Sequence, residues 1–301
     1  MRYPSWLRVA LAALVLITTP LTLSAQAGSQ ERAIFVSALD DKGLPVEGLG
    51  VDAFAVRENG IQREILRVSR ATEPIDITLL IDNSSAASQE VSFFRKALPE
   101  FIARIVPGNG DPGNRMALVG LANRPTVLTP STSDVKRLTS RVESLFSLPE
   151  SGATLLDAIV ETSEGLMKRD APRAAIIAIV TDGPEFTNRY AKDVIATLKK
   201  AQAALHLVTI GQFLDNTPHE LRERVFLISD GPKATGGSHA SMLVANGLAP
   251  HLDRLAHELT SQYKVVYARP DALIAPDTIE VTAARAGLTV RGTPARSAKG
   301  A

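Results

Sequence analysis

The chain has no cysteine in its 301 residues. Disulfides, thiolate metal sites, a cysteine nucleophile and lipid attachment at cysteine are therefore excluded. An excess of either charge is also missing: 33 Lys and Arg stand against 32 Asp and Glu. No basic stripe breaks that balance, which argues against a nucleic-acid partner. Phosphate-cradling loops in the right setting are missing too, since Gly108, Gly110 and Gly113 follow an expected helix and read as a connecting loop. No Gly-x-Gly-x-x-Gly follows a strand and no Gly-Lys-Ser/Thr loop occurs, so nucleotide binding has no motif to rest on. Beyond the first 23 residues, no stretch is long and apolar enough to span a membrane.

What remains is an ordinary globular composition, 45% hydrophobic and 22% charged. The length suits one large domain with a small one. Residues 1–27 read as a signal peptide. Arg2 and Arg8 supply the positive start, Val9 to Leu23 the apolar run, and Ala25-Gln26-Ala27 a small-x-small cleavage site. The body is then expected outside the cytoplasm, periplasmic or secreted. An uncleaved N-terminal anchor is the alternative, and the only membrane attachment the sequence offers.

Residues 32–72, within an N-terminal β part of 28–73, read as strands. Ile34, Val36 and Ala38 alternate, and Asn59-Gly60 signals a hairpin whose return strand covers 61–69. From Ile75 the pattern changes. Ile75–Ile81 and Ala174–Thr181 are near-continuous apolar strands, as in a sheet covered on both faces. Helices are expected over 88–106, with Pro99 a kink or a later start, and over 134–145, 154–167, 190–203, 221–227 and 249–259. Met116–Leu121 and Thr126–Leu128 read as a strand pair, Leu205–Ile210 and Tyr263–Tyr267 as strands. Alternating strands and helices predict an α/β fold over 74–268, a doubly wound, mainly parallel sheet flanked by helices. Residues 269–301 return to β patterning, as a hairpin of Thr278–Thr282 and Leu288–Arg291 with a tail. It is expected to pack with 28–73 as a small β-sandwich around the inserted α/β domain.

Doubly wound sheets bind ligands at the carboxyl ends of their strands. Asp82 ends the first long strand and is followed by Asn83-Ser84-Ser85-Ala86. Asp182 ends the most apolar strand and precedes Gly183. Ser151-Gly152-Ala153-Thr154 opens a helix between them. Two carboxylates and several hydroxyls on one sheet edge form a hard-oxygen set, suited to Mg²⁺ or Mn²⁺. An ion there also removes the repulsion between the two acids.

From about residue 74 to 268 the chain resembles the von Willebrand factor A domain family. That family's metal-ion-dependent adhesion site has Asp-x-Ser-x-Ser, then a Thr in a later loop, then an Asp before Gly. Asp82 and Ser84 match the first two positions, Thr154 the third and Asp182 the last. Ala86 departs from the pattern, standing where the second Ser is expected, and offers no ligand. Ser85 and Ser88 are not spaced to replace it. The resemblance implies a domain that engages a protein partner, with an acidic group of that partner completing the ion's shell, and no catalysis. It also implies that Asp82→Ala abolishes a metal response while leaving the fold intact. Gly43–Leu49, Asp52–Val56, Thr235-Gly236-Gly237 and Gln262–Tyr267 are similar to a bacterial subset in which this domain sits inside a secreted protein.

Other readings are weaker. A metal-independent scaffold follows if Ala86 abolishes ion binding. A serine hydrolase would need more than Gly236-Gly237-Ser238-His239-Ala240, which lacks the closing Gly of a nucleophile elbow. His257-Glu258 opens like a zinc-protease helix, but Ser261 stands where the second His is needed.

Overall fold

The computed structural model describes residues 29–107, 113–169, 171–212, 219–271 and 274–296. The signal-peptide reading of 1–27 lies outside them. Among the described residues no helix is long and apolar enough to cross a membrane.

In chain order the flank comes first: β1 (Ser29–Leu39), β2 (Phe54–Glu58), β3 (Ile61–Arg63) and β4 (Ile65–Arg70). The next stretch is β5 (Ile75–Ile81), α1 (Val91–Ile105), β6 (Arg115–Gly120), β7 (Thr126–Thr132), α2 (Val135–Glu143) and α3 (Leu155–Arg169). Then come β8 (Arg173–Thr181), α4 (Ala191–Ala201), β9 (Ala203–Ile210), α5 (His219–Thr235), β10 (His239–Met242) and α6 (Leu248–Thr260). The chain closes with β11 (Tyr263–Pro270), β12 (Ile279–Ala283) and β13 (Thr289–Pro294).

Six strands form the central sheet in the order β10-β9-β8-β5-β6-β7, parallel except for the β6–β7 pair. This is the doubly wound α/β architecture the apolar strands predict. β5, β8 and β9 are buried at every position, because each face meets its own helix layer. Ile77, Leu79 and Ile81 face Phe94, Leu98 and Phe101 of α1 and Leu252 and Leu255 of α6. Leu80, Ile176 and Val180 face Ile159 of α3, Leu198 of α4 and Leu227 of α5. Each such Leu or Ile side chain contributes about 1.5–3 kcal/mol by leaving water. Pro99 lies inside α1 without ending it.

Several elements depart from the sequence reading. β11, read as part of the α/β unit, pairs antiparallel with β1 and β4 instead. Its Tyr263, Val265 and Tyr267 bury against Ile34, Val36, Phe54 and Val56 in a separate core. The edge of the parallel sheet is held by β10, a strand too short and polar to announce itself. The tail is not a paired hairpin: β12 joins β2 and β13 joins β1. The Asn59-Gly60 turn forms, with φ of 48° and 78°. Its return strand divides, however, β3 pairing with β2 and β4 with β11. The 221–227 helix extends to Thr235.

The α/β unit enters and leaves the small sheets at one place, where Ala71 N donates to Gln262 O at 2.8 Å. Buried polar pegs fix that junction. Arg173 Nε donates to Gln262 Oε1 at 3.0 Å, and Gln262 Nε2 to Ser37 Oγ at 3.0 Å. The Arg173 guanidinium lies 5.5 Å from the Phe35 ring centroid, and burial pushes its pKa down to about 10. β1 thus uses both faces: Ile34, Val36 and Ala38 fill the small core, while Phe35 and Ser37 meet the α/β unit.

Candidate functional site

Three loops meet at the carboxyl ends of β5, β6 and β8, and the backbone itself cross-links them. Ala153 bridges Ala122 and Glu185. Leu148 N donates to Asn83 O, and Thr154 N to Leu121 O. Ser85 Oγ donates to Ser151 O at 2.7 Å. These cross-links set side by side the loops that carry the four residues singled out by the motif, Asp82, Ser84, Thr154 and Asp182; the Asp182 carboxylate itself turns toward the end of β9.

Asp82 is fully buried and organises the first loop. Its Oδ1 accepts from Ser84 N at 2.9 Å, closing a tight turn of the kind Asp side chains favour. Its Oδ2 accepts from Thr181 N at 2.9 Å and from Thr181 Oγ1 at 2.6 Å. Thr154 is buried and its hydroxyl donates to Leu121 O at 2.8 Å, leaving the oxygen's lone pairs free. Asp182 is exposed, with Oδ2 accepting from Gln212 N at 2.9 Å and the carboxylate lying over Gly211.

Ser84 carries the informative anomaly. Its Oγ is buried and has no hydrogen-bond partner. A buried hydroxyl without a partner costs about 1–3 kcal/mol and is rare enough to need a reason. Two residues after Asp82 and on the loop next to that of Thr154, a hydroxyl of this kind suits an oxygen-ligated divalent ion. Ala86 does not help: its methyl points at Gly183, where even one added carbon would overlap it. Ser85 is occupied with Ser151 and Ser88 is exposed, so neither replaces the absent ligand. Among the described residues no three or more His, Cys, Asp or Glu gather to hold a metal. An ion here would therefore depend on hydroxyls and water as well as carboxylates.

Four residues of this site were not anticipated. Asn83 Oδ1 accepts from Ala122 N at 3.0 Å, pinning the β6 loop, and Thr181 anchors Asp82. Glu185 is buried beside the start of α3, where the Leu155 and Leu156 amides favour its charge. Burial is the larger effect and pushes its pKa up to about 8, with Arg224 opposing. Arg224 Nη1 lies 3.7 Å from Glu185 Oε2, the two side chains being 2% and 0% exposed. Asn83 and Thr181 adjoin the motif acids, which is a usable signal. Nothing local marks an arginine in α5 as buried.

Ser238 meets a histidine, but not the adjacent one. Its Oγ lies 2.8 Å from His206 Nδ1, while His239 Nε2 is 2.9 Å from Thr209 Oγ1. His206 is 1% exposed, in the packed interior and not at a substrate surface. Burial pushes its pKa down to about 4, Glu258 opposing and Arg291 adding to the shift. In the unfolded chain a histidine titrates near 6.5. Between those values the unfolded state takes up a proton that the folded state refuses. Stability is therefore expected to fall as pH drops through that window, by about 3 kcal/mol in all. Urea unfolding near pH 7 and near pH 4.5 checks this. His206→Gln should flatten the dependence, and an unchanged slope would remove His206 as its cause.

Residues 76–235, just over half of the chain, match the model of the von Willebrand factor type A domain. Among solved structures, the vWF domain of the type V pili tip protein Mfa5 from Porphyromonas gingivalis is 14% identical. It aligns over 63% of this chain and 96% of that chain, with a TM-score of 0.49. The conserved hypothetical protein BatB from Bacteroides thetaiotaomicron is 15% identical over 62% and 100%, with a TM-score of 0.46. Proximal thread matrix protein 1 from the mussel byssus, solved with a zinc-occupied MIDAS motif, is 13% identical. It aligns over 67% of this chain and 49% of its own length, with a TM-score of 0.50. These likenesses bear on the fold alone. No curated protein matches the chain.

Proposed function

Because the chain belongs to the von Willebrand factor type A domain family, we propose that it is an exported binding protein, not an enzyme. Its α/β unit holds Mg²⁺ or Mn²⁺ through Asp82, Ser84, Thr154 and Asp182 and engages an acidic group of a protein partner. The single observation that carries this reading is the buried, partnerless Ser84 hydroxyl beside Asp82. A bound ion would supply the positive charge that receives a carboxylate. The chain's own residues do the rest. Thr181 and the Ser84 amide fix Asp82, Leu121 O fixes the Thr154 hydroxyl, and Gln212 N steadies Asp182. Phe186, 56% exposed, lies over Gly152 and offers a partner an apolar contact next to the charged one.

Thermal unfolding in EDTA, then with excess Mg²⁺ or Mn²⁺, tests the reading. At about 100 times the dissociation constant an ion stabilises by about 2.7 kcal/mol, a rise of roughly 5–10 °C for a unit of this size. Ser84→Ala is the discriminating variant. It removes a hydroxyl that no protein group satisfies, so the EDTA melting temperature is expected to hold or rise slightly while the ion's effect disappears. No shift with either ion, or a full shift in Ser84→Ala, would end the assignment.

A further inference from the structure

The candidate ligands put two acids, Asp82 and Asp182, at one sheet edge, and Glu185 lies buried in the loop that follows Asp182. Acids on one edge hold their charged forms more easily when a cation is near. The fold places one there. Arg224, on α5, has a side chain 2% exposed and reaches Glu185 at 3.7 Å. Glu185 is tied to the Thr154 loop by two backbone hydrogen bonds, Ala153 N to Pro184 O and Phe186 N to Ala153 O. Asp182 turns toward the end of β9, its carboxylate over Gly211 and its Oδ2 on Gln212 N. Burial works against the Arg224 charge, and Glu185, then Asp82 and Asp182, work for it. A guanidinium suits this position because it stays ionised when buried and presents several donors at once.

We propose that Arg224 is a resident counter-cation of the site. It compensates the carboxylates when no ion is bound and lowers divalent affinity when one is, the second part resting on the metal reading above. The missing ligand at Ala86 and the built-in positive charge then act in the same direction, toward a site that stands intact without metal and takes it up weakly.

The test is Mn²⁺ titration calorimetry on the full chain and on Glu185→Gln, Glu185→Gln/Arg224→Gln and Arg224→Lys, with thermal unfolding in EDTA alongside. Using Glu185→Gln as the reference removes that carboxyl's protonation state from the comparison. The double variant is expected to bind Mn²⁺ roughly tenfold more tightly than Glu185→Gln, the scale of removing one nearby positive charge from a divalent ion. Arg224→Lys keeps the charge and is expected to stay within about threefold of the unsubstituted chain. In EDTA the double variant should unfold at a lower temperature than Glu185→Gln. Adding Asp182→Asn should recover part of that loss, since one carboxylate fewer then needs a counter-charge. Equal Mn²⁺ affinities in Glu185→Gln and Glu185→Gln/Arg224→Gln overturn the proposal. If no form binds Mn²⁺, the metal reading fails by itself and the EDTA series decides: recovery by Asp182→Asn supports Arg224 as the counter-cation, and no recovery overturns it.

Discussion

Asp82→Ala is expected to destabilise the metal-free chain by about 3–5 kcal/mol, because a buried amide pair and a hydroxyl lose their acceptor. It is also expected to abolish any response to Mg²⁺ or Mn²⁺. The motif alone suggests a residue whose loss silences the ion and spares the fold. The hydrogen bonds of the carboxylate give a different expectation for the fold. The Asp82 carboxylate accepts from Ser84 N, Thr181 N and Thr181 Oγ1, and the residue is fully buried. The loop after β5 and the end of β8 are thus held by the same two oxygens. Urea unfolding in EDTA measures the cost directly. Asp82→Asn, which keeps one acceptor oxygen, should lose about 1–3 kcal/mol. An Asp82→Ala chain within about half a kcal/mol of the unsubstituted one would show that these hydrogen bonds carry no net stability.

Gly237→Ala is expected to cost at least about 4 kcal/mol, the range reserved for backbone conflict and severe overpacking. A Cβ at Gly237 would overlap the Leu205 carbonyl oxygen. Both partners of the clash are main chain, so no rotamer change relieves it. The contact is close because the chain leaving α5 must run straight into β10, with Gly237 N donating to Pro232 O and Leu207 N to Ser238 O. The preceding Gly236 has a φ of 76° and lies against Gly292 O, so the same corner also receives β13. Gly287→Ala is the control. Its φ is 80° with nothing within 4 Å of an added Cβ, so it should cost only about 1 kcal/mol of backbone strain. Denaturation midpoints of the two variants decide the matter: similar losses would mean that crowding at Gly237 is relieved by movement of the corner.

The doubly wound sheet was legible because burial on both faces writes a continuous apolar string, and β5, β8 and β9 are such strings. The positions of Asp82, Ser84, Thr154 and Asp182 were legible for a related reason: they lie at the ends of those strands and the start of a helix. What could not be read was partnership. Tyr263–Tyr267 looks like any half-buried strand, and only the presence of β1 and β4 on either side removes it from the parallel sheet. His239–Met242 has no apolar run, being an edge strand. Glu185 and Arg224 look like surface charges in a loop and a helix. Their burial is a property of how α5 packs onto α3, which no local pattern encodes.

The place of β1 has a consequence for how the molecule comes into being. Its two neighbours, β11 and β13, begin at Tyr263 and Thr289, so on a growing chain β1 has no sheet to join until almost everything else has been synthesised. The parallel sheet needs only residues between Ile75 and Met242. Pairings separated by so much chain close late, and a waiting strand is a template for the wrong partner. Charges along β1 and β4, among them the Glu31–Arg67 pair, discourage such pairing in the interval. The small sheets therefore close as a clasp over a finished α/β unit. A chain cut short before Thr289 would carry a completed candidate-site end on a molecule with an open edge.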